Sequence, residues 1–319
     1  MSRYLIRRVL LAIPTLILIS FVLYAIISLA PGDPLSQFAA NPAVPPEVRE
    51  NIRRSLGLDQ PWPVRYVKWV VALAHGDWGY SFGSRIPVWE LIKLRIPSTL
   101  VVVGFAYLLS LLIAIPIGII SAVKQYSIFD HVATTFAFIG FSVPTFFTGL
   151  LLIIVFSVKL QWLPFIYDST LQIRDLGSLG SQLKQSIMPI VVLALFQTAT
   201  LVRFTRASLL ENLPQDYVRT ARAKGVAEIS VINRHAVRNS LIPVVTLIAL
   251  SAPVVFSGAL ITEQIFRVPG IGSLLITSIQ NNDIPVIMAI TFTFSVLVVV
   301  FNLVADIMYG VLDPRIRYD

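Results

Sequence analysis

The chain has 319 residues, of which 56% are hydrophobic and only 13% are charged. Soluble domains carry about 25% charged residues, so this composition excludes an ordinary soluble domain. A net charge of +8 favours nucleic acid as the partner of a soluble protein, but here most basic residues flank long apolar blocks, which favours a membrane protein without a nucleic-acid partner. The sequence contains no cysteine, so disulfides and thiolate metal sites are excluded.

Six stretches of 18 to 28 residues contain no acidic or basic residue and no histidine. They are residues 9–32, 96–123, 132–158, 185–202, 239–262 and 284–305. A bilayer core needs about 20 apolar residues as a helix, so each stretch can cross once. The fourth is the shortest, and a shift toward Phe204 with Arg203 extended to the interface completes it. The sequence therefore predicts an all-α polytopic protein with six transmembrane helices.

The distribution of basic residues predicts the orientation. Three arginines, Arg3, Arg7 and Arg8, precede the first span, which indicates a cytoplasmic amino terminus. The apolar stretch is longer than the 7–15 residues of a secretory signal, so we interpret it as an uncleaved first helix. Six crossings return the carboxyl terminus to the cytoplasm. The expected location is the bacterial inner membrane, with lipid as a partner.

The predicted organisation has four parts: residues 1–32 form the amino terminus and first span, 33–95 an external segment, 96–308 a five-helix core, and 309–319 a cytoplasmic tail. Within the external segment, Pro46 opens a short helix that stops at Gly57, and a second helix runs from Trp62 to Ala74. This segment is either a structural cap on the bilayer or part of a docking surface for an external partner. The sequence leaves both open.

Small and polar residues in the spans are candidates for a substrate pathway: Ser142, Thr145, Gln197, Ser257 and Asn302. They serve equally well in helix packing, which is the commoner use of such residues. Pro144 and Pro253 are the expected kinks. No charged residue lies near the centre of a span, which weighs against transport coupled to a buried carboxylate.

The cytoplasmic loop 203–238 has a more specific pattern. Asp216 can begin a short helix, Arg222 and Lys224 suit the negative end of its dipole, and Gly225 supplies a left-handed stop. A second helix, at about 228–238, leads into the fifth span. A basic cytoplasmic loop is common, but an ordered helix–glycine–helix unit suits the transmission of force from a soluble partner.

This loop resembles the coupling loop of ABC importer permeases, and more narrowly that of the dipeptide/oligopeptide/nickel branch. The similar residues are DYVRTARAKG at 216–225, HAVRN at 235–239 and Pro243. Arg219, Thr220 and Ala221 occupy the Glu-Ala-Ala place of the general motif, and Val237-Arg238 occupies its Leu-Pro place, as in the peptide branch. Further similar segments are APGDP at 30–34, LGLDQP at 56–61, TEQIFRVPGIG at 262–272 and DPR at 313–315.

The resemblance implies a type I importer fold in which a coupling helix seats in an ATPase subunit. That helix and its stop comprise Asp216, Tyr217, Arg219, Thr220, Ala221, Arg222, Ala223, Lys224 and Gly225. It also implies three kinds of partner: a second related permease chain, two ABC ATPases and an extracytoplasmic solute-binding protein. ATP and magnesium belong to the ATPases, since this chain has no Walker A loop.

Other functions stay open from the sequence. The family implies import of di- or oligopeptides, with nickel chelates or oligosaccharides as alternatives. An ion-coupled secondary transporter would need no ATPase and would leave the Gly225 loop without a task. An intramembrane enzyme would need a catalytic cluster, whereas the three histidines are isolated, so we expect no catalytic residue and no metal site.

Overall fold

The computed structural model describes residues 2–29, 46–55, 57–171 and 175–312. The elements in chain order are α1 (Ser2–Leu29), α2 (Pro46–Ser55), α3 (Trp62–Ala74), α4 (Val88–Val123), α5 (Ile128–Ser142), α6 (Thr145–Leu152), a π-helical segment Ile153–Lys159, α7 (Leu176–Asn212), α8 (Asp216–Ala223), α9 (Glu228–Ser230), a π-helical segment Val231–Val237, α10 (Arg238–Phe266), α11 (Ile271–Gln280) and α12 (Ile284–Leu312). The predicted all-α class is confirmed.

The number of membrane spans depends on how bent helices are counted. α1, α4, α7 and α12 are each long and apolar enough to cross a membrane. Two further pairs qualify only together: α5 with the helix from Thr145 to Lys159, bent by 102°, and Ala259–Phe266 with α11, bent by 82°. Four to six spans are therefore compatible with the structure, and the predicted six is the upper value.

The predicted kink at Pro144 is a full break between two helices. α5 ends at Ser142, Val143 is extended with φ −85° and ψ 123°, and α6 begins at Thr145. A proline disfavours helical geometry in the residue before it, which explains why the break falls here. At the other predicted kink, α10 is continuous through residues 252–254, whose side chains lie outside the described set.

Several helices are longer than their apolar blocks. α4 begins at Val88 rather than at residue 96, and α7 covers 176–212 rather than 185–202. These helices continue past their uncharged blocks into segments that carry charged residues, which a search for uncharged residues does not detect. Glu263, which directly follows the fifth uncharged stretch, also lies inside α10, and it is fully buried.

The two short helices predicted between the first two spans are present as α2 and α3, and their external location stays a prediction. Gly57 follows α2 with φ +65°, and α3 has the predicted bounds. α3 is held against α1 by Tyr66, whose hydroxyl donates to Ile17 O (3.1 Å) and lies 3.0 Å from Ser20 Oγ. The segment is thus attached to the bundle and is not a free linker.

The long helices pack around a central pair, α4 and α7, with α10 against α7 and α12, and α1 against α12. Because α4 spans the bundle, it defines two ends. At one end Val88 and Ile92 pack with Ile271 and Val286. At the opposite end Ala122 packs against α8 and its neighbours.

Candidate functional site

The predicted helix–glycine unit is present as α8 and the turn that follows it. Asp216 lies in the first turn and the helix ends at Ala223. Gly225 has φ +74°, its N–H donates to Arg222 O (3.0 Å), and Val226 N donates to Ala221 O (3.3 Å). A residue with a side chain disfavours this left-handed geometry, so the sequence pattern predicted the turn correctly.

One face of α8 is packed into the end of the bundle. Val218 is fully buried and Ala221 nearly so. They join an apolar cluster formed by Ala122 of α4, Leu209 of α7, and Val231, Ala236 and Val237 of the segment that leads into α10. The helix therefore rests on the ends of three long helices at once.

The opposite face of α8 is exposed, apart from one hydrogen bond to the end of α7. Its exposed residues are Asp216, Tyr217, Arg219, Thr220, Arg222, Ala223 and Lys224. Ala223 lies about half a turn from both Val218 and Ala221 around the helix, so it is central to the outer face. Arg219 pairs with Asp216 (Nη2–Oδ1, 2.8 Å), and the Tyr217 hydroxyl donates to Asn212 Oδ1 (2.6 Å).

A bidentate ion pair sets the position of α8. Arg222 donates to Glu228 through Nε (3.1 Å) and Nη2 (2.7 Å) across the Gly225 turn. These hydrogen bonds lower the pKa of the Glu228 carboxyl and raise the pKa of Arg222. Arg222 was predicted from the sequence to belong to this unit, but its partner Glu228 was not. Glu228 comes close to Arg222 only because the Gly225 turn reverses the chain.

The second helix of the unit, expected at 228–238, is continuous with α10. It consists of α9, the π-helical segment Val231–Val237 and the start of α10. Ser208 of α7 donates to Ser240 O of α10 at 2.7 Å. This hydrogen bond joins α7 to α10 next to Leu209 of the apolar cluster.

A second ion pair near this end, between α5 and α7, was not predicted from the sequence. Asp130 of α5 accepts two hydrogen bonds from Arg206 of α7, from Nε (2.6 Å) and Nη2 (2.8 Å). Asp130 also accepts from Tyr126 N at 2.9 Å and is 2% exposed. Both residues lie just outside the uncharged blocks, but nothing in their sequence spacing indicates that they pair.

The buried Glu263 explains the 262–272 motif. Its carboxylate accepts from Thr99 Oγ1 of α4 (2.7 Å) and from Ser273 N at the start of α11 (3.0 Å). A Cβ on Gly270 would lie 2.1 Å from Glu263 Oε1. The two glycines of the motif thus leave room for a carboxylate that joins α4, α10 and α11.

The candidate pathway residues do not form one group. Gln197 is buried and donates to Ser251 Oγ (2.8 Å), which also lies 3.1 Å from the Tyr107 hydroxyl. Ser142 is exposed and Thr145 is half-buried, on either side of the break at Pro144. Asn302 lines a groove between α1 and α12 that does not include Gln197. The side chain of Ser257 lies outside the described set, as do 30–34 and 313–315 of the similar segments.

Comparison with known proteins identifies the family. The family model described as "Binding-protein-dependent transport system inner membrane component" matches residues 114–318. Its companion model for the amino-terminal part of the same membrane component matches residues 1–103. The chain belongs to this family of ABC importer permeases.

Individual permeases agree over the full length. The chain is 42% identical over 319 residues to the oligopeptide transport system permease protein AppB of Bacillus subtilis, covering all of both chains. It is 37% identical over 338 residues to the dipeptide transport system permease protein DppB of Escherichia coli, covering all of this chain and 99% of the relative. This permease is therefore a multi-pass inner-membrane transport subunit and not an enzyme.

Proposed function

We propose that this permease forms half of the translocation pathway of an ATP-driven importer and receives the motion of an ATPase subunit through α8. A second related permease chain supplies the other half, an extracytoplasmic binding protein delivers the solute, and two ABC ATPases bind ATP and magnesium. Both termini and α8 then face the cytoplasm. These partners follow from the family, whose permeases depend on a binding protein.

The observation that carries the proposal is the two-faced packing of α8. Val218 and Ala221 hold it in an apolar cluster with residues of α4, α7 and the segment that leads into α10, while Ala223 and most of the opposite face are exposed. An exposed helix with a rigid connection to three long helices can convert a push from outside into a tilt of those helices. Beyond the Gly225 turn, the chain is helical from Glu228 into α10, which suits the transmission of that force.

The proposed solutes are di- or oligopeptides, because AppB and DppB are oligopeptide and dipeptide permeases by name. Uptake by vesicles that hold the complete importer tests this assignment. Labelled dipeptides and pentapeptides should accumulate with ATP, whereas nickel chelates and oligosaccharides should not. Accumulation of either of the latter in place of peptides would reassign the substrate without affecting the role of α8.

Ala223→Trp tests the role of α8. The indole fills the outer face of the helix without entering the apolar cluster, so the chain should fold normally but lose its fit to an ATPase groove. We expect loss of ATPase co-purification and of binding-protein-stimulated ATP hydrolysis in vesicles.

Ala74→Trp is the matched control, since Ala74 is also the exposed last residue of a short helix, at the other end of the bundle. It should retain the ATPases. Equal retention in both variants, with full ATP-driven uptake, would remove α8 from the coupling path. ATP-independent uptake driven by an ion gradient would replace the importer with a secondary transporter.

A further inference from the structure

A cavity of about 870 Å³ lies at the end of the bundle opposite α8. It is bounded by α3, the loop after α3, the start of α12 and Tyr24 of α1. The loop is fixed by Asp283, which accepts from Phe82 N (3.0 Å), Gly83 N (3.2 Å) and the Ser81 hydroxyl. The cavity is therefore a built feature of the fold, and the proposed coupling does not use it.

The lining of the cavity is cationic. Arg65 and Lys68 of α3 contribute two positive side chains, whereas the carboxylate of the lining, Asp77, accepts from Gly79 N at 2.9 Å. Within the described residues, Arg65 Nε and Gln60 Oε1 are buried and lack a hydrogen-bond partner. A buried guanidinium N–H without an acceptor is costly, so this site favours an anionic ligand with acceptor oxygens.

The position of α3 relates the cavity to lipid. Val64, Val67 and Val71 form one apolar face and are 45%, 59% and 52% exposed. Tyr66 on the other side of the helix is buried against α1. An unpartnered valine face on a helix packed against long apolar helices fits hydrocarbon, as in helices that lie in the membrane interface.

The cationic residues lie between these two faces of α3. Successive residues of a helix are rotated by about 100°, which places Lys68 next to the valine face and Arg65 slightly further round. The cavity is also lined by Trp69, Trp78 and Tyr80, ring types that are enriched at the level of lipid headgroups. Charge, aromatic rings and exposed valines therefore adjoin one another, as the phosphate, glycerol and acyl chains of a phospholipid do.

We propose that this cavity binds the headgroup of an anionic phospholipid. The phosphate accepts hydrogen bonds from Arg65 and Lys68, the glycerol backbone lies against Trp69 and Met288, and the acyl chains lie along the valine face of α3. A zwitterionic headgroup brings its own cation into a site that already has an excess of positive charge. The site thus selects phosphatidylglycerol over phosphatidylcholine.

Native mass spectrometry of the delipidated full-length chain in detergent tests the site. Dioleoyl phosphatidylglycerol is titrated against dioleoyl phosphatidylcholine, and inorganic phosphate is added in a separate arm as competitor. Arg65→Gln should weaken phosphatidylglycerol binding about fivefold, the factor expected for one cation near an anionic lipid surface. Lys93→Gln is the control, since Lys93 is an exposed cation on α4 near the same end and pairs with Glu90. It should leave lipid binding unchanged.

Four results would overturn the proposal. One is equal binding of the two lipids by the unaltered chain. Another is equal loss of phosphatidylglycerol in Arg65→Gln and Lys93→Gln. The third is displacement of the lipid by millimolar inorganic phosphate, which would assign the cavity to a free anion. If Arg65→Gln instead weakens only the association of the solute-binding protein, the cavity is a protein-docking site and not a lipid site.

Discussion

At the scale of single residues, Glu263 is the best example of a charge that the fold requires. It is fully buried, and its carboxylate joins Thr99 of α4 to the first turn of α11. Gly272 belongs to the same arrangement, because a Cβ there would lie 2.7 Å from Leu260 Cα and 2.9 Å from Glu263 Oε2. The backbone at Leu260 cannot move away as a flexible side chain could.

Gly272→Ala should therefore destabilise the protein, by about 1–3 kcal/mol as is typical of an overpacked core. Thermal unfolding of the purified chain in detergent measures this as a lower Tm. Gly104→Ala is the control, because Gly104 also lies within a long helix but has open space where the Cβ would be. Its Tm should be unchanged or higher. A Gly272→Ala chain as stable as the Gly104→Ala chain would contradict the packing described here.

Asp130→Asn should also destabilise the fold. The change leaves the guanidinium of Arg206 without its counter-charge in a site where Asp130 is almost completely buried, which costs about 3 kcal/mol. Glu90→Gln breaks an exposed ion pair with Lys93 and should cost less than about 0.5 kcal/mol. Equal unfolding midpoints in denaturant for the two variants would show that the Asp130–Arg206 pair does not contribute to the free energy of unfolding.

Some of these structural residues could be predicted from the sequence and others could not. Gly225 could be identified because a left-handed helix stop is a local property of the chain. The pairs Glu263–Thr99 and Asp130–Arg206 could not, since their members are 164 and 76 residues apart and meet only after the helices pack. The available signal for Glu263 was the spacing of two glycines after it, which indicates a close approach but not to which group.

At the scale of elements, α8 is held by two different forces. Apolar burial of Val218 and Ala221 fixes one face, and the Arg222–Glu228 pair fixes its angle across the Gly225 turn. Because the pKa of Glu228 is lowered, the pair is fully formed above the ordinary glutamate pKa and is lost only as the pH falls through the lowered value. The Arg222–Glu228 ion pair is therefore fully formed throughout the neutral pH range.

Glu228→Gln should loosen α8 without unfolding the bundle. Amide hydrogen exchange at neutral pH should be faster at 216–225 and unchanged in α4 and α7. Glu50→Gln removes an exposed ion pair of similar geometry in α2 and should leave exchange in α8 unaltered. Unchanged protection of 216–225 in Glu228→Gln would mean that apolar burial alone positions the helix.

The predicted elements were most accurate where the stop signal is local. α3 and α8 have the predicted starts because proline, acidic first turns and glycine stops act within a few residues. The long helices were underestimated because α4 and α7 extend into segments that carry charge. The π-helical segment before α10 has no sequence signal and depends on packing against α8.

At the scale of the whole molecule, α4, α7 and α10 connect two specialised ends. One end holds α8 and its apolar cluster, and the other holds α3, α11 and the cationic cavity. In the proposed coupling, a displacement of α8 would reach α10 through Val237 and α7 through Leu209. The family resemblance predicts ATPase coupling at the end that holds α8, and this stays a prediction, whereas hydropathy alone predicts only the crossings.

The most direct test of the account is a cross-link between α8 and an ATPase subunit. The chain contains no cysteine, so Ala223→Cys introduces its sole thiol, and Ala74→Cys places one at the far end as a control. In the assembled importer with a short thiol-to-amine cross-linker, position 223 should couple to the ATPase and the yield should change when ATP binds. Position 74 should not couple. A transport-competent complex in which position 223 gives no ATPase cross-link, or no more than position 74, would contradict the account.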